Sequence, residues 1–141
     1  MIKFIFELLE SIGFTHPLHP AIVHLPMGLI MGGFAFVLAA IFFKQPVLFR
    51  TAHHSATLAL IGIPPTVILG IMDWQYSFGG AWVTPIKVKM GLAVVMTILL
   101  VILHLIGKRA EESPSKVLII YGLATLTAIG MGYTGGQLLY G

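Results

Sequence analysis

Three imidazoles fall within nine residues, His16, His19 and His24, in the run His16-Pro17-Leu18-His19-Pro20-Ala21-Ile22-Val23-His24-Leu25-Pro26. Neutral imidazole ligates haem iron, copper and zinc, and the prolines stiffen the segment that presents it. A second set joins His53 and His54 to His104, which comes from a different stretch of chain. If both stretches are helices crossing the same layer, a rise of about 1.5 Å per residue puts the three side chains at similar depth. An imidazole from each helix then faces a shared centre, the arrangement of a b-type haem with two axial histidines. One or two haem b groups are expected on this reading. The inner one would use His104 with His54 or His53, and the outer one His24 with His16 or His19. The alternative is a metal-handling or transport protein in which His16, His19 and His24 capture a divalent copper or zinc ion at the outer face, without haem. Plainer roles are also open: His53 and His54 beside Arg50 at headgroup level, and His24 or His104 hydrogen-bonded to a neighbouring helix backbone.

The chain contains no cysteine, which removes disulfides, iron–sulfur clusters, thiol catalysis and thioether-linked haem, so any haem would be held noncovalently. Asp73 is the sole aspartate and follows an apolar stretch. Its expected partner is Lys87 or Lys89, in a boundary salt bridge or helix cap, with a proton-accepting role beside a quinone pocket as the functional alternative. No nucleophile with an adjacent base, phosphate loop or carboxylate pair is present, so an electron-transfer subunit is favoured over a stand-alone enzyme.

The elements that must position these groups follow from composition. Of 141 residues, 57% are hydrophobic and 9% charged, against roughly a quarter charged in soluble domains. A bilayer span takes about 20 apolar residues, and four such stretches use nearly the whole chain. The expected fold is all-α, a single integral membrane four-helix bundle with spans at about 20–43, 51–72, 88–106 and 116–139. Residues 1–13 carry Lys3, Glu7 and Glu10 among apolar positions, which predicts a short interfacial helix rather than a signal peptide. Pro26 is expected to kink the first span, and Pro64 with Pro65 to be tolerated within the second where neighbours satisfy the freed carbonyls. Small residues recur as Ala124, Ala128, Gly132 and Gly136, and as Gly28, Gly32, Gly33, Ala35 and Ala39, allowing close helix approach or room for a flat cofactor. Of the methionines, only Met27 stands near a histidine, His24.

One set of loops holds Lys44, Arg50, Lys108, Arg109 and Lys116, and the other holds Lys3, Lys87 and Lys89. The positive-inside rule places the first set in the cytoplasm, with both termini and a loop from Trp74 to Pro85 outside. Trp74, Tyr76, Trp82, Tyr133 and Tyr140 then form an outer aromatic belt. The net charge of +3 belongs to these loops and gives no support for nucleic-acid binding.

The His16–Pro20 run with Val23-His24-Leu25-Pro26, the segment Gly70-Ile71-Met72-Asp73-Trp74, and Gly132-Tyr133-Thr134-Gly135-Gly136-Gln137-Leu138-Leu139-Tyr140 resemble the bacterial membrane proteins grouped as DUF2231. The resemblance covers nearly all of the chain after Ser11. It implies a four-helix protein of the bacterial inner membrane. Because some members are joined to Rieske-type or cytochrome domains, it also implies a redox partner of that kind, with quinone as a further expected partner. His19 and His24 match the motif directly; Gln137 stands where an acidic residue is usual, and Lys89 where histidine or arginine is expected. A homo- or hetero-oligomer, and a cofactor-free scaffold of a larger complex, are compatible with the same pattern.

Overall fold

The computed structural model describes residues 2–13 and 18–140, all helical apart from short turns. Helix α1 (Ile2–Ser11) precedes α2 (Leu18–Phe42), α3 (Val47–Ser77), α4 (Thr84–Gly107) and α5 (Pro114–Tyr140), with one 3-10 turn at Ala110–Glu112. Helices α2 to α5 are each long and apolar enough to cross a bilayer. At about 1.5 Å per residue the 31 residues of α3 span about 46 Å, more than a hydrocarbon layer of about 30 Å. Its ends therefore project beyond the apolar layer.

The four long helices pack in chain order as an antiparallel ring: α2 on α3, α3 on α4, α4 on α5, and α5 back onto α2. Small residues bring the axes together, with Ala52, Ala56, Ala59, Ala124 and Ala128 at 3% exposure or less. Larger side chains fill the centre, among them Ile30, Met96, Leu100 and Leu103. Gly33 matters for a specific reason. A Cβ there would lie 2.6 Å from the ring of Tyr121, whose hydroxyl donates to the Ala52 carbonyl, so α2, α3 and α5 are joined through one phenol. Gly28 and Gly32 have open space where a Cβ would stand. The predicted small-residue stripe on α2 therefore acts at one position. Outward-facing Ile61, Val94, Leu105, Ile119 and Leu126 are exposed, as a lipid-facing surface requires.

One feature departs from the sequence expectation. Trp74 to Ser77 are helical, so the loop expected from Trp74 to Pro85 shrinks to residues 78–83. The helix runs on past its apolar section because Gly79 and Gly80, both with positive φ, close it late, the Gly80 N–H donating to the Trp74 carbonyl at 3.0 Å. The helix α2 continues through Pro26, which packs against Gly62 of α3, and α3 continues through Pro64 and Pro65. Helix α1 rests on the C-terminal end of α3, where the Tyr76 hydroxyl donates to Glu10 at 3.1 Å. The end of the bundle that carries α1 is called the α1 end; the opposite end, with Lys44, Arg50, Lys108 and Arg109, is the basic end.

Candidate functional site

At the α1 end the second residue of α2 is His19, and two turns of α3 define its surroundings. The His19 Nδ1 lies 3.0 Å from the Thr66 carbonyl. A carbonyl only accepts, so Nδ1 carries the proton and Nε2 keeps a lone pair. That Nε2 is buried and unpartnered among the described residues. The ring comes this close because Gly70 has no side chain: a Cβ there would stand 2.9 Å from Nδ1. Thr66 turns its own hydroxyl back to the Gly62 carbonyl, 2.7 Å away, leaving its carbonyl to the histidine.

Asp73, 4% exposed, closes the same corner. Its Oδ1 accepts the Leu18 N–H at 3.0 Å and its Oδ2 the His19 N–H at 2.7 Å. These are among the N–H groups that a helix start leaves without intrahelical partners, and the carboxylate also meets the positive end of the α2 dipole. Asp73 thus acts as a helix cap, one of its expected roles; its hydrogen-bonding partner is the start of α2, while Lys89 lies near enough to attract it. Capping across helices, from α3 to α2, is what fixes His19 in height.

A cavity of about 280 Å³ opens beside this corner, between all four long helices. His19, His24, Asp73, Trp74 and Lys89 line it, together with Gly132 and Gly136 of α5. Lys87 is exposed and outside it. Most of the remaining wall is apolar and includes Met27, Met90, Met96 and Met131. His16 lies outside the described residues.

At the basic end His53, His54 and His104 do come together, as their depth predicts. The rings of His53 and His104 are 5.5 Å apart at 24°, and those of His53 and His54 are 5.8 Å apart. The Thr57 hydroxyl donates to the His53 carbonyl at 2.9 Å and so accepts from His104 Nδ1, also 2.9 Å away. His53 lies against the backbone of Gly107, where a Cβ would meet its Nδ1 at 2.5 Å and its own Cβ at 3.2 Å.

These observations test the fit of a haem. At the basic end α3 and α4 touch through His53 and Gly107, which leaves no slot for a flat macrocycle between the two rings. At the α1 end His19 and His24 are five residues apart on one helix, so they point about 140° apart and cannot take the two faces of one iron. The α1-end cavity also lies at the lower edge of the roughly 300–1,000 Å³ range of organic-ligand pockets. Among the described residues, neither His53 and His54 with His104 nor His19 with His24, as arranged, fits a bis-histidine haem; the pairing of His16 with His24 lies outside the described residues. Among the described residues no group of three His, Cys, Asp or Glu side chains is placed to hold a metal ion.

The four membrane-length helices carry these residues in the order the motifs require, and residues 15–141 match the family described as predicted membrane protein, DUF2231. The chain is a DUF2231 protein. No curated protein and no solved structure matches it. Within this DUF2231 chain the motif residues His19, Gly70, Asp73 and Trp74 meet at one corner, although His19 and Asp73 are 54 residues apart in sequence. Thr66, Thr57, Gly107 and three of the cavity methionines escaped sequence reasoning. A threonine four residues after His53 was the one local signal, since that spacing shares a helix face.

Proposed function

We propose that this DUF2231 protein is an electron-transfer subunit of the bacterial cytoplasmic membrane whose α1-end cavity binds a quinone-class molecule. The observation that carries this reading is the imidazole nitrogen of His19, buried and unpartnered among the described residues, beside an apolar cavity lined by four helices. Such a cavity favours a flat apolar ring, and His19 and Lys89 offer the few polar contacts that orient a ligand. Its volume of about 280 Å³ suits one ring rather than a macrocycle. Electrons would pass between the bound ring and a partner of Rieske or cytochrome type on the outer side.

In lipid nanodiscs the protein is expected to bind a short-tailed ubiquinone analogue at one site per chain, measured by equilibrium titration. Absence of binding would overturn the quinone reading. A Soret band with stoichiometric iron in the same sample would instead place a haem carrier within the chain. A second reading draws on the wall itself: four methionine thioethers and two imidazoles suit monovalent copper better than a harder divalent ion. Copper retained at one per chain, without quinone binding, would select it. Binding of neither would leave the cofactor-free scaffold.

The orientation proposed puts the α1 end outside and the basic end in the cytoplasm. The chain lacks cysteine, so single replacements report cleanly. With a membrane-impermeant maleimide on intact cells, Ser77→Cys is expected to label, and Glu111→Cys only after permeabilisation. The opposite pattern would invert the topology.

A further inference from the structure

We propose that the α1-end cavity selects the reduced, dihydroxy form of its ligand and that His19 is the residue that sets this preference; the inference rests on the quinone-class reading above. The donors and acceptors available in the wall decide it. Thr66 fixes the tautomer, because its carbonyl, 3.0 Å from Nδ1, demands the ring proton there. The other nitrogen is left as a pure acceptor, and among the described residues it has no donor. The backbone of α3 at Gly70 packs against the Nδ1 side of the ring, which keeps Nε2 on the opposite side. Asp73 adds no donor, since a carboxylate only accepts and both its oxygens already serve the start of α2.

A hydroquinone matches this arrangement. One O–H donates to Nε2, and the oxygen at the far side of the ring accepts from the Lys89 ammonium on the diagonally placed α4. The oxidised ring carries acceptors at both ends. It satisfies Lys89 but sets a carbonyl lone pair against the lone pair of Nε2, leaving a buried acceptor unpaired. Nε2 is buried in this structure, and the nearby wall is rich in unbranched methionines such as Met27 and Met90, which re-pack at low cost. Such re-packing is what would admit a ring hydroxyl to Nε2.

The test compares decylubiquinone with its reduced form, titrated anaerobically by calorimetry into the full chain in nanodiscs at pH ~8, where an ordinary imidazole is neutral. The quinol is expected to bind about tenfold tighter than the quinone, the factor that one net hydrogen bond supplies. His19→Phe should bring quinol affinity to the quinone value and leave the quinone affinity within about twofold, while Lys89→Met should weaken both forms. If His19→Phe is not monodisperse, His19→Gln replaces it with the same expected loss of preference. Equal binding of the two forms to the unaltered protein, or tighter binding of the quinone, overturns the selectivity and leaves the site standing. Binding of neither form overturns the function proposed above, a distinct outcome.

Discussion

Asp73→Ala is expected to destabilise the α1 end by about 3 kcal/mol and to lower the thermal midpoint of the detergent-solubilised protein by ~6–12 °C, taking the soluble-protein scaling. The size follows from what the carboxylate does. It accepts two backbone N–H groups at 3.0 and 2.7 Å while 4% exposed. Hydrogen bonds to a charged group are worth about 1.5–3 kcal/mol each, and the alanine variant would leave both donors without partners at a partly buried helix start. An asparagine side chain keeps one accepting oxygen, so Asp73→Asn should lose roughly half as much. Amide hydrogen exchange at Leu18 and His19 should rise in the same order. A melting curve for Asp73→Ala that overlays the unaltered protein would show that the start of α2 does not depend on this cap.

Gly70→Ala carries the second large effect, and there two terms of opposite sign compete. Alanine in place of glycine favours a helix interior by about 1 kcal/mol. The new Cβ, however, would stand 2.9 Å from His19 Nδ1 and 3.3 Å from Cε1, and overpacking of this kind costs typically about 1–3 kcal/mol. The steric term wins because relief requires His19 to leave the Thr66 carbonyl. Affinity for the reduced ligand, titrated anaerobically, should therefore fall by about tenfold while that for the quinone changes little, with a small drop in thermal midpoint. Unchanged affinity, measured by the same titration, would mean that the imidazole position is immaterial to binding.

These two residues also show where sequence reading runs out. The four spans were legible because a chain with 9% charged residues leaves few places for anything but lipid-crossing helices. The end of α3 was not, since Asp73, Gln75 and Ser77 look like a loop by polarity, yet leaving the apolar layer does not end a helix. Gly79 and Gly80 end it. Depth sorted the histidines correctly into two ends, because rise per residue is a property of the helix alone. Their partners depend on which faces meet, and that is set by packing between α2 and α3 or α3 and α4. A carbonyl such as that of Thr66 has no signature in the sequence. Nor does the methionine wall: Met27 comes from α2, Met90 and Met96 from α4, and Met131 from α5, scattered along the chain and gathered only by the closure of the ring.

Trp74 and Trp82 are the chain's two tryptophans, and their rings meet edge to face with centroids 4.7 Å apart. The Trp74 indole N–H donates to the Ala81 carbonyl at 2.9 Å, and the same side chain lines the α1-end cavity. All indole fluorescence of the molecule therefore originates from one coupled pair at the mouth of the candidate site. Its emission reports, without any attached dye, on whether a light-absorbing ring has entered and on whether the turn after α3 has shifted.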